Sequence, residues 1–254
     1  MTLFNDGPIS VTLDLQNFES GILGVASTEG IDLSGKSKLA QDEIANELML
    51  FLLRRLPVRD YQWNLRRTRG TSDVVVTMPL KQWHVHKTLA LVYRDAYNNQ
   101  LNDRYLKKWN EYERLAKASA ERCFQIGVGL VGDPLPKPDA PGLSTALGLA
   151  HGATYYVAIT WTNTAGQESS LSDVATLTTT DSEQLVVTSS NSPANAKGWN
   201  VYAGAAPESL GLQNGAPVGL TESWTVSTLN AGRRPGAGQE PSWFFVDDRV
   251  IERG

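Results

Sequence analysis

The sequence predicts a multidomain protein of α plus all-β class, with an N-terminal helical bundle, a small antiparallel β-sandwich and a C-terminal arm. Between Pro79 and Phe124, large or apolar side chains recur every three to four residues, which is helical spacing. Four prolines between Pro134 and Pro141 end this pattern, and the apolar period then changes to two, as in half-buried strands. A chain of 254 residues can bury two modest cores.

These changes in composition divide the chain into five segments. They are an N-terminal arm with a short helix (1–33), a helical domain (34–130), a proline-rich linker (131–141), a β-sandwich (142–230) and a C-terminal docking arm (231–254). The linker is expected to be extended and semi-rigid because its prolines restrict the backbone.

Two helical patterns precede residues 79–124, whose recurring apolar side chains we call the long stripe. The first is short, with Asp14 as a plausible N-cap and an apolar side formed by Leu15, Phe18, Ile22 and Val25. The second, over residues 36–53, carries its acidic residues early and Arg54 and Arg55 late, which suits the helix dipole. Pro57 ends it, and residues 58–78 are expected to form a basic loop with a short extended segment.

The long stripe contains a possible break. Asn98 and Asn99 suit the left-handed conformation that ends many helices, and Asn102 can cap a new helix. Two antiparallel helices, over 80–97 and 103–124, are therefore predicted. A single bent helix is the alternative, because the apolar spacing is not interrupted at this point.

Strand patterns follow the linker and make up a sandwich of about seven strands. The predicted strands cover residues 153–163, 171–180, 183–190 and 198–204, with shorter runs near 217–220 and 223–229. The sequence contains a single cysteine, so the disulfide of a true antibody domain is excluded.

Charge is distributed unevenly along the chain. Lys and Arg exceed Asp and Glu by eight in residues 51–138, whereas Asp and Glu exceed Lys and Arg by six in residues 139–230. Within the basic block, six arginines lie in sixteen residues around Tyr61 and Trp63, and they are Arg54, Arg55, Arg59, Arg66, Arg67 and Arg69. Such a patch can bind nucleic acid or form pairs across a subunit interface. We favour the interface because no DNA-binding motif surrounds the patch, although solvated basic helix faces explain the charge equally well.

The motifs that would indicate cofactor, metal or catalytic sites are weak. Residues 127–132 match GxGxxG, but a helix precedes them and Pro134 follows, which is the wrong context for a dinucleotide site. His84 and His86 would point to different sides of a helix, and His151 and Cys123 add no ligand spacing. We therefore expect no cofactor, no metal and no enzymatic activity.

Targeting signals are also lacking in the sequence. The first residues carry no basic segment followed by an apolar core, and no apolar run approaches the ~20 residues of a membrane span. Cys123 is expected to be a small buried side chain, and synthesis in a reducing cytoplasm is expected.

The C-terminal arm begins as another Gly/Pro linker and ends in apolar and aromatic residues. We expect it to dock on a partner or to add a strand to the sandwich. The proposed docking residues are Trp243, Phe244, Phe245, Val246, Arg249, Val250 and Ile251.

Over residues 30–135 the order of elements resembles the head-to-tail connector (adaptor, or head-completion) proteins of tailed bacteriophages. The segments that carry this resemblance are LAQDEIANELMLFL, PLKQWHVHKTLALVYRDAY and NDRYLKKWNEYERLAKASAERC, with a Gly/Pro exit. The later TNTAGQESSLSD and GWNVYAG are similar to segments of fibronectin type III or immunoglobulin-like modules of phage structural proteins.

The resemblance implies a virion protein of the neck, made in the bacterial host cytoplasm. It implies a homo-oligomeric ring, commonly of about twelve copies, that lies under the portal protein, continues its DNA channel and meets a downstream neck or tail protein. Residues 240–254 would dock on the portal, and the basic region 51–78 would lie at a subunit seam or near packaged DNA.

Two other functions stay open. A glycan-binding or host-attachment protein would need Trp161, Trp199 or Trp224 to line an exposed groove on the sandwich. A DNA-binding regulator would need salt-dependent duplex affinity from residues 51–138.

Overall fold

The computed structural model describes residues 1–54, 70–148, 152–226 and 228–246, with the backbone alone for Leu53 and Arg54. This part of the chain contains five α-helices and nine strands, and every strand pair is antiparallel. The predicted combination of helices with antiparallel sheets is confirmed. The chain divides into a helical unit, Gly7–Leu130 with Pro241–Gly254, and a β unit, Met1–Asp6 with Val131–Glu240.

The helical unit is organised around its fourth helix. The helices are α1 (Thr12–Phe18), α2 (Ile22–Glu29), α3 (Leu33–Arg54), α4 (Met78–Gln100) and α5 (Asp103–Ile126). Helix α4 contacts all four of the others and buries residues on most of its circumference, whereas α5 buries one side. Helix α5 is therefore amphipathic, whereas α4 is central in the unit and buries polar His84, His86 and Thr88 together with its apolar residues.

Helix starts differ in detail from the sequence-based prediction. Asp14 does not cap α1; it lies at the third helical position, and its carboxylate accepts a hydrogen bond from the Val11 amide at 2.8 Å. Helix α3 begins before residue 36, because Asp32 accepts a hydrogen bond from the Ser34 amide at 2.9 Å and satisfies an N-terminal donor. The single short helix expected before residue 30 is thus two helices, α1 and α2.

The predicted break in the long stripe is confirmed. Leu101 has a left-handed backbone with φ of 53° and ends α4, and the Asn102 side chain accepts a hydrogen bond from the Arg104 amide to cap α5. The left-handed residue is Leu101 rather than Asn98 or Asn99. Ring contacts between Tyr93 and Tyr112, and between Tyr97 and Trp109, show that the two helices run antiparallel.

A two-stranded sheet belongs to the helical unit. Strand β1 (Val128–Leu130) follows α5 directly and pairs with β9 (Trp243–Phe245) near the other end of the chain. On the far side of β1, Val74 forms a bridge with Leu130, and the Val75 amide donates to the Gly129 carbonyl. The extended segment predicted around residues 74–77 therefore exists, as a partner for β1.

The β unit contains a three-stranded and a four-stranded sheet. Its strands are β2 (Gly142–Leu147), β3 (Thr154–Thr162), β4 (Ala175–Thr178), β5 (Glu183–Thr188), β6 (Gly198–Gly204), β7 (Gly211–Leu212) and β8 (Trp224–Thr225). The orders are β2-β5-β8 and β4-β3-β6-β7. One hydrophobic core draws on both sheets, with Trp161 and Trp199 from one and Leu185 and Val187 from the other.

Strand prediction succeeded where the sequence alternates and failed where it does not. Strands β3 to β6 lie within predicted runs. By contrast β2 and β7 were not predicted, because β2 is largely exposed and β7 has only two residues. The run near 217–220 supplies only a bridge between Val218 and Trp199.

Residues 131–141, predicted to be a linker, are extended and pack within the β unit. Leu135 is fully buried in its core, and the Leu135 amide donates to Gln239 at 2.6 Å. The Lys137 amide donates to Asp6 at 2.9 Å, so the first residues of the chain are also bound to this unit. Long-range hydrogen bonds of this kind are invisible in the sequence, where prolines indicate only extension.

Candidate functional site

The arginine patch singled out in the sequence lies outside the described residues. For Arg54 the backbone forms the end of α3 and the side chain is not described. The others lie between residues 54 and 70, and they are Arg55, Arg59, Arg66, Arg67 and Arg69. Their role at a subunit seam or near DNA stays a prediction.

The C-terminal arm is bound to its own chain through part of its length. Trp243, Phe244 and Phe245 form β9, and the Phe245 ring meets Phe51 edge-to-face with centroids 5.6 Å apart. Phe51 in turn stacks on Phe124 at 4.4 Å. The Phe245 ring therefore packs within the helical unit.

Two of the proposed docking residues are exposed in the described part of the chain. Phe244 is 51% exposed and Val246 is 44% exposed. The other proposed docking residues, Arg249, Val250 and Ile251, lie outside the described residues. Within the described chain, Phe244 and Val246 are therefore the proposed docking residues whose apolar side chains are exposed, and docking through them stays a prediction.

The two helical histidines are buried and hydrogen-bonded to serines. His84 Nδ1 lies 2.8 Å from Ser10 Oγ, and its Nε2 lies 2.9 Å from the Ser37 carbonyl, so Nε2 donates and Nδ1 accepts from the hydroxyl. His86 Nδ1 lies 2.8 Å from Ser119 Oγ. Sequence reasoning missed both pairs because the partners are 74 and 33 residues apart.

These serine–histidine pairs do not make a nucleophilic site. Ser10 is 5% exposed and Ser119 is 7% exposed, so a substrate could not reach either hydroxyl. The contacts instead satisfy buried polar atoms. Burial lowers the pKa of His84, although the Ser37 carbonyl and the Asp14 carboxylate act in the opposite direction. Burial also lowers the pKa of His86, and Arg122 adds to this effect.

These lowered pKa values predict a loss of stability in mild acid. The unfolded chain binds protons on both imidazoles below about pH 6.5, while the folded chain resists them, so the unfolding free energy should be highest above that pH and fall towards about pH 5. Urea unfolding followed by circular dichroism at several pH values measures this. The double variant H84N/H86N should show a flatter pH dependence over this range, and an unchanged dependence would contradict the assignment.

Two of the three glycines of the GxGxxG match, Gly127 and Gly129, are explained by backbone conformation and packing. Gly127 ends α5 with φ of 109°, a conformation that side chains rarely adopt. A Cβ on Gly129 would lie 2.9 Å from Pro241 Cγ and 3.1 Å from Thr77 Cγ2. These glycines let the backbone pass close to β9 and to the segment before α4, and a helix N-terminus does not follow them.

Neither thiol chemistry nor a metal centre emerges from the described residues. Burial raises the pKa of Cys123 to about 12, so its sulfur stays a protonated thiol. Across residues 1–54, 70–148, 152–226 and 228–246, His, Cys, Asp and Glu side chains form no group of three that could hold a metal ion.

Glu168 is the centre of a buried polar network in the β unit. Its carboxylate accepts hydrogen bonds from Thr160 Oγ1 at 3.2 Å, Asn200 Nδ2 at 2.9 Å and Tyr202 Oη at 2.7 Å. Arg233 completes the network with an ion pair to the same carboxylate. The network ties β3 and β6 to two loops, which is a structural role.

Glu19 has a comparable position in the helical unit. It accepts from Tyr112 Oη at 2.8 Å and pairs with Lys108 at 2.9 Å, which connects the segment between α1 and α2 to α5. Burial alone would raise the pKa of Glu19, but the hydrogen bonds from Lys108 and Tyr112 lower it overall. Tyr112 is buried and Glu19 is mostly buried, so the cluster is a fixed contact between helices, although the Lys108 side chain is 39% exposed.

The solvent side of α5 carries a row of basic residues, Arg104, Lys107, Arg114 and Arg122, which we call the α5 cationic face. All four are exposed. At its N-terminal end, Arg104, Lys107, Lys108 and Glu111 line a shallow depression of about 340 Å³. Exposed cationic side chains of this kind attract anions.

Comparison with protein-family models, with curated proteins and with solved structures finds no match. In the described part of the chain, no helix combines the length and apolar character needed to cross a bilayer. Function must therefore be argued from the surfaces and the buried networks described above.

Proposed function

We propose that the protein is a head-to-tail connector of a tailed bacteriophage, a ring-forming structural component of the virion neck. The observation that carries the proposal is the distribution of exposed apolar side chains. Of fifteen large apolar side chains exposed in the described residues, eleven belong to the helical unit, and they are Val11, Leu13, Phe18, Leu23, Leu39, Leu50, Met78, Leu101, Ile126, Phe244 and Val246. Exposed apolar side chains that gather on one surface are expected where another subunit packs, and their concentration in the helical unit supports such a surface there.

The reactive side chains of the helical unit are buried or held by hydrogen bonds, which supports a structural role rather than an enzymatic one. His84, His86, Glu19 and Cys123 are each buried or bonded to fixed partners. In the connector role, α3, α4 and α5 build the ring, Phe244 and Val246 contact the portal, and the β unit projects outward. The ring would have about twelve copies, with a downstream neck or tail protein as its second partner.

The β unit is proposed to be an immunoglobulin-like or fibronectin III-like sandwich. Support comes from strand order: β2 pairs with β5, and β3, β6 and β7 follow one another in the second sheet. These are the adjacencies of strands B and E, and of C, F and G, in immunoglobulin folds. Strand β4 beside β3 corresponds to an additional C′ strand.

The glycan-binding alternative is less well supported. Trp161 and Trp199 are 1% and 0% exposed and belong to the shared core, so they are unavailable to a sugar. Trp224 is half-buried against the same core. A groove that depends on these three aromatics would have to open the sandwich.

The ring proposal predicts that leucines on the outer side of α3 are needed for assembly. Leu39 is 38% exposed and Leu50 is 52% exposed, and their separation of about three helical turns places them on the same side. The L39S/L50S variant should remain folded and lose ring assembly in mass photometry, either alone or with purified portal protein. The wild type should assemble in at least one of these conditions.

The matched control is L147S in the β unit, where the leucine is 90% exposed. It makes the same chemical change and should leave assembly intact. Wild-type protein that stays monomeric both alone and with portal would contradict the ring. A portal complex that survives F244S/V246S would contradict the assignment of the arm.

A further inference from the structure

The four side chains of the α5 cationic face lack the ion pairs that their neighbours have. Lys108 pairs with Glu19 and Lys117 pairs with Glu113. In contrast, Arg104, Lys107, Arg114 and Arg122 form no ion pair with any residue of the described chain. Unneutralised charge on one helix side leaves an electropositive surface for an anionic partner.

The arrangement of these charges is linear. Arg104 and Arg122 are eighteen residues apart, which is about five helical turns, so they point the same way about 27 Å apart along the axis. Lys107 and Arg114 lie between them on the solvent side, away from the buried Tyr112 and its neighbours. A row of this length fits a repeating polyanion better than a single small ligand.

The residues around the α5 cationic face favour a polyanion over a protein as the binding partner. Between Arg104 and Arg122, the exposed residues of α5 are polar or charged, apart from Ala118. The centres of protein interfaces usually contain aromatic or large apolar side chains. Ile126, at the end of the helix, is the nearest exposed large apolar residue on α5.

We propose that the α5 cationic face binds the phosphate backbone of duplex DNA without sequence preference. Arginine presents a planar fork that matches phosphate oxygens, and three of the four residues are arginines. At one end of the row, the depression lined by Arg104, Lys107, Lys108 and Glu111 receives a phosphate through Arg104 and Lys107, the two cations there without an ion pair in the described chain. No base readout is implied, since these contacts carry no sequence information.

Acidic residues on the same helix limit the strength of this binding. Lys117 pairs with Glu113, but Lys108 lies 2.9 Å from Glu19 and only 3.7 Å from Glu111, so Glu111 keeps much of its charge. Asp103 and Glu121 have no ion pair within the described chain. The affinity is therefore weak and sensitive to salt. The inference goes beyond the connector role and stands without it, because a single copy presents the whole row.

The test is the salt dependence of binding to a short duplex of mixed sequence, measured by fluorescence anisotropy with the full-length protein. Each phosphate contact contributes about −0.9 to the slope of log K against log salt concentration. The variant R104Q/K107Q/R114Q should reduce the magnitude of this slope by about 2 to 3. The variant K38Q/K197Q/R234Q removes the same charge from other exposed positions and should leave the slope nearly unchanged.

Three outcomes would overturn the proposal. Wild-type protein that fails to bind duplex at about 50 mM salt would do so directly. Equal changes of the salt-dependence slope in the two triple variants would mean that DNA binding depends on the net charge of the protein and not on the α5 cationic face. A slope unaffected by R104Q/K107Q/R114Q, with loss of self-association in the same variant, would assign the face to protein contact. None of these readings depends on ring assembly.

Discussion

Replacement of Trp199 by alanine is expected to lower the free energy of unfolding of the β unit by about 3–5 kcal/mol. Trp199 is fully buried and lies opposite Trp161 in the four-stranded sheet. Its Nε1 donates a hydrogen bond to the Gly219 carbonyl at 2.9 Å. The substitution removes a large side chain from a shared core and also leaves that carbonyl without its donor.

Urea unfolding by circular dichroism measures the total effect of W199A, and hydrogen exchange of the β3 and β6 amides locates it in the β unit. The matched control is W224A, which removes the same side chain from a half-buried position at the edge of the core. Its expected cost is smaller, about 1–2 kcal/mol.

The Trp199 experiment also separates two functions. If W199A left stability unchanged but abolished binding on a glycan array, Trp199 would line a ligand surface and the glycan-binding function would replace the connector. A large loss of stability instead removes Trp199 from the set of candidate sugar contacts.

Replacement of Glu168 by alanine is expected to cost about 3–5 kcal/mol, although the residue is charged. Thr160, Asn200 and Tyr202 donate hydrogen bonds to its carboxylate, and all three are buried. Without Glu168, these donors lose their partner in a place where water does not easily replace it.

Arg233 provides the control for the Glu168 prediction. It forms an ion pair with the same carboxylate, but its side chain is 54% exposed. The variant R233Q should therefore cost no more than about 1 kcal/mol. Thermal unfolding of both variants by circular dichroism makes the comparison. Similar losses for E168A and R233Q would mean that the ion pair, rather than the buried hydrogen bonds, carries the stabilisation.

The sequence by itself determined the helices and strands that depend on local patterns of residues along the chain. Apolar spacing located α4 and α5, and Asn102 marked the start of α5 because a cap is a local hydrogen bond. Alternation located β3, and the turn-rich NSPANAK marked the start of β6. The buried state of Cys123 also followed from its position on an apolar stripe.

Only the tertiary structure decided which distant segments meet. Strand β9 pairs with β1 across more than a hundred residues, and the Phe245 ring packs on Phe51. The tail sequence showed an apolar arm but could not show that its partner lies in its own chain. Strand pairing depends on backbone hydrogen bonds, which every sequence can form, so the partner is not encoded in a local pattern.

The α5 cationic face and the buried polar networks were likewise only partly predictable from the sequence. The charge excess of the middle block was visible in the sequence, but the exposed basic row on α5, which carries part of it, could be located only from the burial of one helix side and the pairing of Lys108 and Lys117. The serine–histidine pairs and the Glu168 network were likewise invisible, because their members are separated by 8 to 74 residues. The sequence shows which side chains carry charges or hydrogen-bond donors. Only the fold shows which of these groups have partners, because the distance in space decides which charges and donors are paired.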